Sequence, residues 1–73
     1  MKVDVKAPVT GTIWMLSAGV GQQVYEGNDL MTMESMKMEV PVAAPCNGEV
    51  TWLRPQGDQV NVEDLVAIIE DGT

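Results

Sequence analysis

Near the middle of the chain a lysine stands between two methionines, Met36-Lys37-Met38, with Glu34 and Glu39 outside them in the stretch MESMKME, residues 33–39. Lys37 is one of only four basic residues. Its amine is a nucleophile toward acyl groups, but a lysine that reacts unaided has its ammonium destabilised by burial or by neighbouring cations. Glutamates flank this one instead, so another protein must activate it. The residue pattern is that of a substrate for covalent modification.

Other chemistry is poorly provided for. The chain has no histidine and one cysteine, Cys46. That excludes Ser-His and Cys-His pairs, imidazole or thiolate zinc sites, and an internal disulfide. The carboxylates are scattered over turn segments, where they read as solvated charges rather than an acid-base pair. The GVG at 19–21 precedes neither a helix nor a lysine, so it is not a phosphate loop. An autonomous enzyme is not expected. With 4 basic and 11 acidic residues the net charge is −7, which repels nucleic-acid phosphates and anionic lipid surfaces.

The longest unbroken apolar run, LVAII at 65–69, is far too short to span a membrane, and the N-terminus alternates charged and apolar residues unlike a signal peptide. A lone cysteine in so small a chain fits a reducing cytoplasm, with Cys46 a small packing residue near a turn. The 73 residues make one domain over 1–73, burying only about 60% of the surface the unfolded chain exposes.

The elements that must hold Lys37 are strands. Apolar residues recur with period two at Val3/Val5, Val40/Val42, Val50/Trp52, Val60/Val62 and Val66/Ile68. Turn-forming clusters lie at 7–11, 17–21, 26–29, 44–48, 54–58 and 70–73, a spacing for short hairpins. NVEDL at 61–65 could form a single turn. Met31 and Met33 are expected to pack in strands, Trp14 and Trp52 to anchor the core, and Gly11, Gly27 and Gly48 to serve tight turns or close packing.

The chain also repeats itself. VKAPVTGTIWML at 5–16 matches VAAPCNGEVTWL at 42–53, GQQV at 21–24 matches GDQV at 57–60, and NDL at 28–30 matches EDL at 63–65. The offset drifts from 37 through 36 to 35, as though each connecting loop lost one residue. Two similar halves imply a pseudo-two-fold β structure. If 30–35 folds back onto 39–43 as a hairpin, the last strand pairs with the first in the same way. Lys37 then sits at one tip and both termini at the other end, exposed on a rigid scaffold.

ESMKME followed by VPVAAPCNGEV resembles the biotin/lipoyl attachment domain, and the resemblance extends over essentially the whole chain, including both Ala-Pro-x-x-Gly elements. It implies an all-β flattened barrel, or sandwich, of two four-stranded antiparallel sheets with pseudo-two-fold symmetry. It implies that Lys37 receives biotin from a biotin protein ligase and shuttles carboxylate between biotin carboxylase and carboxyltransferase sites. Met36, Met38, Glu34 and Glu39 match the flanks of that motif. Ser35 stands where biotinyl members most often have alanine, and serine is frequent in the lipoyl version. Lipoate in a 2-oxo acid dehydrogenase type complex is therefore the alternative, with an unmodified β interaction module as a third reading. The isolated domain is expected to be a monomer.

Overall fold

A computed structural model describes residues 1–72, and all of its regular elements are strands. They are β1 (Lys2–Lys6), β2 (Gly11–Leu16), β3 (Gln23–Val24), β4 (Asp29–Ser35), β5 (Met38–Ala43), β6 (Gly48–Leu53), β7 (Gln59–Val60) and β8 (Leu65–Glu70). Two four-stranded antiparallel sheets result, one in the order β1-β8-β6-β3 and the other β5-β4-β2-β7. Exchanging β1–β4 with β5–β8 turns one order into the other. This is the expected pseudo-two-fold, and the first strand does pair with the last as β5 pairs with β4.

Hydrogen bonds outside the strands obey the same symmetry and correct the repeat. The Gly21 amide donates to the Val50 carbonyl and the Gly57 amide to the Ile13 carbonyl, both at 2.7 Å. Ala44 donates to the carbonyl of Asn28 (2.7 Å) and Ala7 to that of Asp64 (2.8 Å). Asn28 is thus the counterpart of Asp64, not of Glu63, and the offset stays at 36 from residue 21 onward. One residue is lost once, between β2 and β3, because both turns that follow need the same Asx geometry. The amide of Tyr25 donates to Asn28 Oδ1 (3.0 Å), as that of Asn61 does to Asp64 Oδ2 (2.8 Å). The Asn61–Asp64 turn closes with a 3.0 Å backbone bond, so the 61–65 stretch does form a single turn. β7 has already stopped at Val60, which leaves Val62 half exposed and ends the predicted Val60/Val62 alternation.

The core lies between the sheets. Ile13, Leu30, Met31, Met33, Val50 and Ile69 are fully enclosed, and Cys46 packs against its margin. Trp14 and Trp52, expected inside, are 45% and 37% exposed. Trp14 follows inward-facing Ile13 and so faces outward by plain alternation, whereas for Trp52 the cause is a β-bulge, of which each half has one. Ile13 faces Met33 and Met15 faces Thr32, so Trp14 is the extra residue; Val50 faces Ile69 and Trp52 faces Ile68, so Thr51 is. An inserted residue reverses the parity of the alternation. The inward positions become 13 and 16 in one half and 50 and 53 in the other. Trp52 instead lies under the Arg54 guanidinium, 6.0 Å from its ring centroid.

The first five turn clusters occupy connections between strands, three of them running one residue into the next strand at Gly11, Asp29 and Gly48. The sixth, 70–73, begins inside β8 at Glu70, and Thr73 lies outside the described residues.

The body measures 37 × 18 × 18 Å. Four strands side by side span roughly 15 Å, so the long dimension runs along them. β4 starts beside the 25–28 turn, where the Glu26 amide donates to Asn47 Oδ1 (2.7 Å) and Gly48 packs on the Glu70 carbonyl. Its seven residues, on the order of 20 Å of strand, end at Ser35. The residue 36–37 turn and the chain ends therefore occupy opposite ends of the molecule.

Candidate functional site

Strands β4 and β5 form a hairpin whose closing pair is Ser35 with Met38, leaving only Met36 and Lys37 in the loop. A two-residue loop that follows the natural twist of its strands needs φ > 0 at both positions, which asparagine and glycine adopt most readily. Here Met36 has φ 51° and Lys37 φ 64°. For residues bearing a Cβ this left-handed conformation costs about 1–2 kcal/mol each. The cost falls on the two residues at the centre of the motif.

What holds the turn is the hairpin beneath it. Met31 and Met33 point from β4 into the core and have no solvent exposure. On β4's other side β2 approaches closely enough that a Cβ on Gly11 would collide with the Glu34 carbonyl oxygen. Gly48 meets the Glu70 carbonyl in the same way, and Gly27 has φ 91°, so all three glycines serve the roles expected of them. Above the core, Ser35 Oγ donates to the Thr10 carbonyl at 2.8 Å.

The chemistry-bearing side chains face solvent. Lys37 is exposed, and Met36 and Met38 are 92% and 66% exposed. Glu34 and Glu39 are exposed too, and they stand directly opposite each other across the two strands. Neither makes an ion pair with Lys37 within 4.0 Å among the described residues. The sequence suggested glutamates gathered around the lysine. Strand alternation sets them against one another instead, an arrangement of like charges that weakly opposes pairing.

The structure thus gathers Glu34, Met36, Lys37, Met38 and Glu39 on one tip and offers an unpaired primary amine at its apex. Such an amine suits acylation, which needs the lone pair accessible from outside. No group of three or more potential metal ligands occurs among the described residues. Outside the site, motif reasoning missed the β1–β2 loop that braces it, where the Thr10 main-chain carbonyl accepts from Ser35 Oγ. The internal repeat carried a signal for it, since Thr10-Gly11 aligns with Asn47-Gly48. Both side chains accept a hydrogen bond from an equivalent backbone amide, Val62 to Thr10 Oγ1 (3.0 Å) and Glu26 to Asn47 Oδ1 (2.7 Å).

Comparison with known proteins agrees with this geometry. A family described as "Biotin-requiring enzyme" matches residues 3–69. A biotinylated protein TB7.3 homolog of Mycobacterium leprae is 36% identical over 70 residues, covering 94% of this chain and 99% of that protein. A biotin/lipoyl attachment protein of Bacillus subtilis is 31% identical over 72 residues, covering 97% and 99%. The crystal structure of Kluyveromyces lactis urea carboxylase superposes with a TM-score of 0.90 and 34% identity over 96% of this chain, which spans 6% of that one.

Proposed function

Since the chain belongs to the biotin/lipoyl attachment family and is a biotin carrier domain, we propose that Lys37 is the attachment residue and that the loaded domain serves a biotin-dependent carboxylase. The observation that carries this reading is the exposed, unpaired Lys37 amine at the apex of a strained two-residue turn between Met36 and Met38. A biotin protein ligase activates the biotin carboxyl as an acyl adenylate. Lys37 Nζ, deprotonated in the ligase, displaces AMP and forms an amide. When bound, biotin supplies the nitrogen on which carboxylate is carried.

The domain's own residues hold and present the arm. Tethering makes each encounter with a partner active site effectively intramolecular, at millimolar-order local concentration for a short flexible link. Amide formation removes one positive charge, taking the formal net from −7 to −8. The neutral arm enters a pocket without the cost of dehydrating an ammonium. Met36 and Met38 offer the ligase an apolar, deformable contact on either side of the amine, and Glu34 and Glu39 give the tip its sign.

In this role the domain is a non-catalytic carrier, and biotin carboxylase and carboxyltransferase domains are its partners. A monomer is supported by how the sheet edges end. β3 and β7 are two residues long, and Pro41 interrupts the donor pattern of edge strand β5. The reducing cytoplasm remains the compartment we propose, on the single free cysteine.

The test is intact mass with peptide mapping after co-expression with a biotin protein ligase and, separately, a lipoate ligase. Biotin on Lys37 alone, lost in Lys37→Arg without change in the far-ultraviolet spectrum, is the expected result. Lipoate alone moves the domain to the oxidative complexes. Modification by neither, or at another lysine, overturns the assignment.

A further inference from the structure

The hairpin is tied down by a hydroxyl that the attachment motif does not require. Ser35 is the last residue of β4 and pairs with Met38 across the turn. Its Oγ donates to the carbonyl of Thr10, 25 residues earlier in the chain, at 2.8 Å. Thr10 Oγ1 in turn accepts the amide of Val62, 52 residues further on, at 3.0 Å. Three segments remote in sequence, the 36–37 turn, the β1–β2 loop and the 61–64 turn, are thereby joined in one line.

That line acts where the hairpin is weakest. Directly above Ser35 stand two non-glycine residues in the left-handed region, which relax toward ordinary φ if the closing pair opens. Directly below it Glu34 and Glu39 oppose each other as like charges. The closing pair therefore has a strained turn on one side and repulsion on the other. By the 36-residue offset the counterpart of Ser35 is Asp71, at a chain end where no turn has to be held, and there the side chain meets the Met1 ammonium instead.

We propose that Ser35 is a positioning residue for the modification of Lys37. Its hydroxyl, bonded to the Thr10 carbonyl, keeps the Ser35–Met38 pair closed and so keeps the lysine in the one turn geometry the ligase meets. This rests on Lys37 as the attachment site. The acceptor is a main-chain carbonyl, so the tie depends on the side chain at 35 and not on the one at 10. Alanine at 35 occupies the strand equally well and leaves the turn to hold itself. Fewer carriers are then in the competent geometry at any instant, which weakens apparent affinity for the ligase in proportion and leaves the rate within the bound complex unchanged.

The experiment compares the wild-type chain with Ser35→Ala, Ser35→Thr and Thr10→Val. It reads ligase kinetics with biotin and ATP, and amide hydrogen exchange by NMR. For Ser35→Ala the expected result is a rise in KM, bounded by the about three- to tenfold scale of one intramolecular hydrogen bond, with kcat unchanged. Exchange is faster at Met38, in the closing pair, by a similar factor and unaltered at Ile69 in β8. Ser35→Thr restores both. Thr10→Val leaves KM within twofold of wild type, because the carbonyl remains. A Ser35→Ala chain with wild-type KM and wild-type exchange at the tip overturns the proposal, as does loss confined to kcat. If no ligase modifies even the wild-type chain, the reading of Lys37 fails, and the exchange arm still decides whether Ser35 holds the turn.

Discussion

The two ends of the molecule are built alike and closed differently. At one end β4 passes into β5 through Met36 and Lys37, and the covalent link forces both residues to positive φ. At the other, β8 and β1 lie side by side in the equivalent pairing, Glu70 against Lys2, with no link between them. There the Met1 ammonium bridges the gap, 2.6 Å from Glu70 Oε1 and 3.2 Å from Asp71 Oδ1. One junction is covalent and strained, the other ionic and relaxed. Lys37 stands at the strained one, between the seven-residue β4 and the six-residue β5.

The comparison breaks most readily at its two close-packed glycines, Gly11 and Gly48. Gly11→Ala drives a methyl into the Glu34 carbonyl, and Gly48→Ala drives one into the Glu70 carbonyl and to 2.6 Å from Ile69 Cγ2. Each is expected to cost about 1–3 kcal/mol in urea unfolding, with Gly48→Ala the worse. Only Gly11→Ala, on the lysine's side, should also slow ligase modification of the folded fraction. Equal losses of modification in both would mean the ends are not independent.

A turn swap tests the strain directly. Replacing Met36 by Asn and Lys37 by Gly supplies the residues a two-residue hairpin prefers. Stability should rise by about 1–2 kcal/mol, seen as a higher melting temperature, while biotin incorporation disappears. No gain in stability would show that the hairpin relieves the strain by other means.

Glu63 sharpens the same contrast within the scaffold. It has φ 75° where its counterpart Gly27 has φ 91°. Glu63→Gly should therefore stabilise by roughly 0.5–1 kcal/mol and leave modification untouched.

The smallest effect concerns the ionic junction. Hydrogen bonds that the Met1 ammonium donates to Glu70 and then Asp71 hold it above its ordinary pKa of 8.0. A group raised on folding stabilises fully below its unfolded pKa and loses that contribution as pH climbs through the folded one. The melting temperature of the unmodified chain should exceed that of an Nα-acetylated one by a small margin at pH 7, and the margin should vanish in alkaline solution. A margin that persists there would assign it to something other than the ammonium's charge.

Much of this was legible in the sequence because symmetry doubles every signal. The hairpin around Lys37 followed from the half-repeats, and its exposed tip from strand alternation. Alternation misplaced Trp52, since a bulge shifts parity without leaving a glycine or proline to mark it, and Trp14 was set inside with it by their near-equivalence in the repeat although it is the neighbour of inward Ile13. The repeat slipped at Asn28 because NDL over EDL matches letters, whereas the structure matches Asn28 with Asp64 as side-chain acceptors capping identical turns. The tie from Ser35 to Thr10 joins residues 25 apart through a main-chain carbonyl, and a backbone atom leaves no trace in residue type.

The placement of both chain ends opposite the lysine has a mechanical consequence. Any segment joined to either end takes hold of the domain at the butt of a 37 Å rod whose far tip bears Lys37. Pivoting there by 10° sweeps the tip through roughly 6 Å, so a stiff body multiplies small rotations into travel of the kind hinged domains use. The β-sandwich is itself a lever.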